Sequence, residues 1–151
     1  MALDDDIRTL SGVGLFSDLT PEQLRLLAFG AEQVRLSAGQ ELYRENAPAD
    51  CAYVVVTGKI VLYREHKGEA VAVARVGPSA LLGELALITQ TRRMTYAAAE
   101  TDAELIRLNR TLFRRILEEY PETAVELHRR MLEDLQAFLK KIEKLAPKFS
   151  D

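Results

Sequence analysis

The chemistry of this chain is concentrated between Gly83 and Ala97. Gly83-Glu84-Leu85-Ala86-Leu87 reads as a glycine followed by a single apolar turn of helix, with Glu84 at the start of the turn and Arg93 nine residues further on. A helix start presents unpaired backbone N–H groups and a partial positive charge, both suited to a phosphate. Glycine lets the backbone come close to a ligand because it has no Cβ to clash. Arginine offers a planar fork of donors that matches phosphate oxygens in bidentate fashion. An ionised carboxylate accepts hydrogen bonds, for example from a sugar hydroxyl. A phosphate cradle, a cation and a hydroxyl acceptor together describe a site for a phosphorylated ribose.

The same segment resembles the phosphate-binding cassette of the cyclic nucleotide-binding domain family. That cassette reads Gly-Glu-Leu/Ile-Ala-Leu, a short gap, Pro-Arg, small residues and then a strand. Here the match is Gly83-Glu84-Leu85-Ala86-Leu87, then Arg93, then Ala97 and Ala99 ahead of Thr101-Asp102. The resemblance implies that Glu84 takes the ribose 2′-hydroxyl and Arg93 the exocyclic phosphate oxygens. The backbone N–H groups of Gly83, Leu85 and Ala86 would add to the phosphate contacts, and Met94 and Thr95 would line the same site. The implied ligand is cAMP or cGMP, with no cofactor and no metal. Three features depart from the family pattern: Arg92 stands where proline is usual, Met94 where a small residue is usual, and Thr95-Tyr96 where Ala-Thr, Ala-Ser or Ala-Val is usual. Met94 brings no hydroxyl to the phosphate and is larger than the usual residue, and overpacking a tight pocket costs about 1–3 kcal/mol. The choice between cAMP and cGMP stays open.

The elements that must hold this cassette follow from periodicity and punctuation. Residues 1–31 read as helical: a short helix over Asp4–Leu10, interrupted by Gly12 and Gly14, then a helix opened by Thr20-Pro21-Glu22-Gln23. Thr20 can cap, Pro21 fits the first helical position and Gln23 can close a capping box. Residues 32–108 change to short β-type runs: Val34 and Leu36, Leu42, Ala52–Val56, Ile60–Tyr63 and Ala70–Ala74, punctuated by Gly39, Gly58, Gly68 and Gly77. His66-Lys67-Gly68 is a hairpin turn, with His66 expected in solvent. Tyr96–Ala99 would read as helix by propensity. The family resemblance places a strand there, and another at Leu105–Leu108. Residues 109–146 are helical again. Asn109 caps one helix, and Pro121–Leu145 forms a long second one, stopped by Pro147. Val125, Leu132, Leu135, Leu139 and Ile142 fall on alternating three- and four-residue steps, a coiled-coil seam with His128 at one position. A second stripe, Leu127, Met131, Phe138 and Leu145, lies beside it. One stripe is expected against the β-structure and the other against a second chain, giving a homodimer.

These pieces define a mainly β fold with flanking helices. The expectation is a jelly-roll-like β-roll, or double-stranded β-helix, with an N-terminal helix and a long C-terminal helix. All of it forms one domain, with the cassette at 82–97. A chain of 151 residues with 48% hydrophobic residues suits a single core. The formal charge of −3 gives no surface for nucleic acid, and Arg92-Arg93, Arg114-Arg115 and Arg129-Arg130 each have acidic neighbours. No apolar run approaches the ~20 residues of a membrane span. The acidic start, Met1-Ala2-Leu3-Asp4-Asp5-Asp6, lacks the pattern of a signal peptide, so the expected compartment is the cytoplasm. Cys51 is the only cysteine and reads as a structural thiol. A roll also invites a metal-enzyme reading, but His66 and His128 cannot supply a converging ligand set, and no nucleophile–base set presents itself. The expectation is therefore a non-enzyme, a stand-alone regulatory domain that signals to an effector protein by moving its C-terminal helices. Two alternatives remain. One is a degenerate cyclic nucleotide-binding fold acting as a ligand-free interaction or dimerisation module. The other is the effector domain of a transcription regulator without its DNA-binding part.

Overall fold

The computed structural model describes residues 2–144; Leu145 and Pro147, expected at the end of the last helix, lie outside them. Helix α1 (Ala2–Ser11) leads through a 3-10 turn at Gly14–Phe16 to α2 (Pro21–Phe29). Thr20 caps α2 as expected. Its side chain accepts from the Gln23 N–H at 3.2 Å while the Gln23 side chain accepts from the Thr20 N–H at 2.9 Å. Gln23 also reaches Thr123 at 3.3 Å, tying the first helices to the last.

Ten strands follow: β1 (Glu32–Leu36), β2 (Glu41–Tyr43), β3 (Pro48–Ala49), β4 (Cys51–Thr57), β5 (Ile60–His66), β6 (Glu69–Val76), β7 (Leu81–Leu82), β8 (Thr91–Arg92), β9 (Tyr96–Ala99) and β10 (Ala103–Asn109). They form two antiparallel four-stranded sheets, ordered β1-β10-β4-β7 and β2-β9-β5-β6, and a two-stranded pair β3-β8. Helices α3 (Arg110–Glu119) and α4 (Pro121–Lys144) close the chain. Asn109 caps α3, accepting from the Leu112 N–H at 2.8 Å. This is the mainly β roll with flanking helices that the sequence implies.

The run of apolar residues in β4 is continuous because both faces of that strand are covered. Ala52 and Val54 join the cluster formed with Phe16, Leu27, Phe113, Leu127 and Met131 of the helices. Val55 faces the other way, into the roll, with Leu36, Ile60, Leu62 and Leu105. Residues alternate between faces along a strand. Cys51 and Tyr53 therefore share the roll-facing side of β4 with Val55. The alanine-rich β9 is a strand despite its helix propensity. Ala97 pairs with Leu62 and Tyr43, Ala99 pairs with Ile60, and both alanines are buried. Close approach of the two strands favours small side chains there, so packing overrides propensity.

At the β5–β6 hairpin, Lys67 and Gly68 both have positive φ, 54° and 82°, the geometry of a two-residue type I′ turn. His66 is the last residue of β5, paired with Glu69, and is half-buried rather than solvated. The stripe Leu127, Met131 and Phe138 packs α4 onto the roll and helices. Three residues of the neighbouring seam are left in solvent, Val125 at 73% exposed, Leu132 at 62% and Leu139 at 47%, while Leu135 and Ile142 are half-buried. His128 is also exposed. Among the described residues no helix is long and apolar enough to cross a membrane.

Candidate functional site

The Gly83–Leu87 segment folds as expected into one turn of helix, of the 3-10 type, over Glu84–Leu87. Gly83 sits at its head in the left-handed region, with φ 75° and ψ 34°. A Cβ at Gly83 would lie 2.2 Å from Nη1 of Arg93, so two independent constraints require glycine here. The turn uses its own donors: the Ala86 N–H goes to the Gly83 carbonyl at 3.0 Å and the Ile88 N–H to the Leu85 carbonyl at 3.2 Å.

Arg93 lies beneath this turn and is 7% exposed. Its backbone is fixed by the Ala47 and Asn46 loop, with Arg93 N–H to Ala47 carbonyl at 2.9 Å and Asn46 N–H to Arg93 carbonyl at 2.7 Å. The guanidinium carbon stands 4.4 Å from the centroid of Tyr43 and 5.6 Å from that of Tyr53. Nη2 lies 3.4 Å from the Cys51 sulfur. Nη1 is buried and has no protein acceptor. Other arginines of the roll find carboxylates: Arg107 pairs with Glu32 and Asp50, Arg64 with Glu45, Arg75 with Glu100. Among the described residues Arg93 has no such partner. A buried charge is costly unless it is paired, and Nη1 is left with donor capacity that the described residues do not use.

Glu84 is the second polar group that the protein leaves incomplete: its Oε2 is buried without a hydrogen-bond donor. Burial pushes its carboxyl up to about 8, helped by the charge and hydrogen bond of Asp134 on α4. A carboxyl raised this far favours its protonated form at neutral pH.

Arg93 and Glu84 converge on one cavity of about 380 Å³ between the roll and α4, within the ~300–1,000 Å³ range of small-ligand sites. Gly83, Leu85, Ala86, Met94 and Thr95, all expected in the site, line it too. From α4 come Met131, Asp134, Leu135, Phe138 and Lys141. The cavity thus has a polar end at the cassette and an apolar wall beneath the long helix. Met94 does not fill it; its side chain lies at the surface, 38% exposed. Thr95 is buried at 3% and is hydrogen-bonded to the Tyr43 side chain. Arg92 replaces the usual proline as a surface tether: it pairs with Pro48 in β3-β8, and its Nη1 donates to the Asn46 carbonyl at 2.9 Å.

Several participants were invisible in the sequence pattern. Tyr43, Tyr53 and Cys51 reach Arg93 from two different strands, and nothing local marks them. Asp134 falls between the two apolar stripes of α4. Arg110 carried a signal that was available. It opens α3, where a cation opposes the helix dipole, so something else must hold it. That is the Ala86 carbonyl, accepting from Nε at 2.7 Å, and the Ala49 carbonyl, accepting from Nη2 at 2.6 Å. Arg110 thereby joins the cassette turn directly to the first residue of the C-terminal helices.

Comparison with known proteins places the chain in a family. Residues 33–120 match the profile of the cyclic nucleotide-binding domain. A cyclic nucleotide-binding-like protein from Brucella abortus is 59% identical, with a TM-score of 0.70 over 76% of this chain and 99% of its own. The N-terminal domain of a transcriptional regulator from Streptomyces coelicolor is 32% identical, with a TM-score of 0.76 over 89% of this chain and 94% of its own. The regulatory domain of Toxoplasma gondii PKA, solved with cAMP, is 27% identical, with a TM-score of 0.71 over 76% of this chain and 44% of its own. Lysophospholipases of Neurospora crassa and Yarrowia lipolytica are 28% and 30% identical, matching 82% and 68% of this chain. The chain spans less than a tenth of these enzymes' length, 8% and 9%. With a profile match over more than half its length and a cassette that positions Gly83, Glu84 and Arg93 around one cavity, the chain belongs to the cyclic nucleotide-binding domain family.

Proposed function

We propose that this protein is a regulatory, non-catalytic domain that binds a cyclic purine mononucleotide, cAMP or cGMP, in the cavity beneath α4. The observation that carries the reading is Arg93: a buried guanidinium with no carboxylate partner among the described residues and a free donor at Nη1. A cyclic phosphate supplies the missing charge and acceptors. Glu84 then takes the ribose 2′-hydroxyl, which fills the hydrogen-bonding position its Oε2 lacks. The base lies toward the apolar wall formed by Met131, Leu135 and Phe138. Cyclic AMP in the related Toxoplasma regulatory domain supports this ligand class.

The signal leaves through the helices. Phosphate capture tightens the cassette turn, and Arg110 transmits any displacement of Ala86 to α3. The long helix α4, which supplies one wall of the cavity, answers to the same ligand. A ligand shifts such a balance only by binding one arrangement better than the other. The exposed seam of Val125, Leu132 and Leu139 is the surface on which a second copy would read that movement, and an effector protein would receive it. The expected compartment is the cytoplasm, where the lone buried thiol of Cys51 stays reduced.

Calorimetric titration with cAMP and cGMP tests the reading. The parent should bind at least one, and Arg93→Ala should abolish binding while leaving the fold largely intact, because it removes a buried charge that has no ionic partner to orphan. An Arg93→Ala protein that binds as well as its parent would show the site assignment to be wrong. A parent that binds neither nucleotide would leave the interaction-module reading.

A further inference from the structure

We propose that Tyr43 is a positioning residue for phosphate: its ring face holds the Arg93 guanidinium by a cation–π contact, so that the cation is fixed without being neutralised and keeps an edge free for the anion. The inference rests on the nucleotide reading of the cavity and adds the device that makes Arg93 available to it.

Arg93 needs something to hold it. Arginine side chains carry about 2 kcal/mol of rotamer entropy when free, and a buried guanidinium must recover its lost hydration. The usual solution is a carboxylate, and Arg107 shows it a short distance away, with Glu32 at 3.3 Å and Asp50 at 3.6 Å. A carboxylate on Arg93 would compete with phosphate for the same donors. An aromatic face does not, because it stabilises the cation through the ring quadrupole and occupies the face of the guanidinium rather than its N–H edge.

The geometry is that of a platform. Tyr43, at the end of β2, lies 4.4 Å from the guanidinium carbon, well inside the ~6 Å limit for the interaction. Tyr53 of β4 lies further off at 5.6 Å and stacks with Tyr43, ring centroids 6.1 Å apart. Tyr43 is itself fixed by pairing with Ala97 in β9 and by the hydrogen bond with Thr95. Nη2 is occupied by the Cys51 sulfur, a weak acceptor that it shares with Nε of Arg107 at 3.3 Å. What remains is Nη1, which faces the Cβ-less side of Gly83. Thr95 and Gly83 are thus linked to the phosphate indirectly, through the ring and through the space left for Nη1.

The test compares the parent with Tyr43→Phe, Tyr43→Leu and Tyr43→pentafluorophenylalanine. Each is titrated with the better of cAMP and cGMP and with the Sp and Rp phosphorothioates of that nucleotide, and circular dichroism melts confirm folding. Pentafluorophenylalanine keeps the outline of the ring but inverts its quadrupole, and affinities are compared at a temperature at which the melts show both it and Tyr43→Phe folded. Tyr43→Phe should stay within about threefold of the parent, while Tyr43→Leu and the fluorinated ring should bind about 5–30-fold more weakly. Their preference between the Sp and Rp diastereomers should fall toward one, because a loose guanidinium no longer distinguishes the two exocyclic positions. Equal affinity for the phenylalanine and pentafluorophenylalanine proteins overturns the inference, as does weakened binding with an unchanged Sp-to-Rp ratio. A parent that binds neither nucleotide overturns the nucleotide reading itself, and this inference falls with it.

Discussion

The carboxyl pair at the mouth of the cavity gives a stability prediction with a definite sign. Glu84 is raised from 4.5 to about 8, first by burial and then by Asp134. Its native form therefore binds a proton over a range in which the unfolded chain has released it. Stability from this group is fully present below 4.5, declines as pH rises, and has gone once pH passes about 8. For a single group the integrated loss between about pH 5.5 and about pH 8.5 is about 3 kcal/mol. Asp134 is exposed and its charge is screened, so about half of that, roughly 1.5 kcal/mol, is the realistic figure. For a chain of this size it corresponds to about 3–6 °C in Tm. Glu84→Gln imitates the protonated acid in shape and donor capacity but does not titrate. Thermal melts of parent and Glu84→Gln in nucleotide-free buffer should lie closest at acid pH and separate by about 3–6 °C toward pH 8.5, with the parent the less stable. Parallel profiles for the two proteins would refute the argument, since they would mean that Glu84 is ionised in the folded state throughout.

Two further predictions test neighbouring parts of the site. Gly83→Ala imposes a left-handed backbone on alanine, costing about 1–2 kcal/mol, and drives a methyl group into Nη1 of Arg93; titration should show nucleotide binding lost while circular dichroism still reports the roll. Leu132→Glu places a charge in the exposed seam of α4, where Leu132 is 62% exposed; sedimentation should show a dimer for the parent and a monomer for the variant, and thermal stability of the monomer should change by less than about 0.5 kcal/mol.

Reading the sequence succeeded where structure is decided locally. Thr20-Pro21-Glu22-Gln23 and Asn109 cap their helices because the partner groups lie within three residues. The cassette turn, the Lys67-Gly68 hairpin and the longer strands follow from glycine conformation and two-residue alternation. The short strands β3, β7 and β8 span two residues each, too few for any period to show. The surroundings of Arg93 were hidden for a different reason. Cys51 is 42 residues away in sequence and Tyr43 further, and their meeting depends on how two sheets close around the roll. His66 was expected in solvent because its turn is polar; its place at the end of β5 half-buries it. Asp134 faces Glu84 because Leu127, Met131 and Phe138 fix how α4 is rolled against the domain, and the apolar stripes alone did not say which residue between them would meet the cassette.

The cavity is lined by Arg92, Arg93 and Lys141 and by two acids, Glu84 and Asp134, yet Arg93 makes no ion pair with either acid. Here each group is held in place with one polar atom, Nη1 of Arg93 and Oε2 of Glu84, left without a partner. Arg93 is held by aromatic faces and a sulfur. Glu84 is held by a proton and Asp134. Gly83 stands between them and gives Nη1 its space. On the proposed reading, the anionic phosphate and the ribose hydroxyl of a cyclic nucleotide would answer those two groups in turn. Capture of the nucleotide by ionised Glu84 would release that proton, so that binding and the contact between the cassette and α4 are settled at the same carboxyl group.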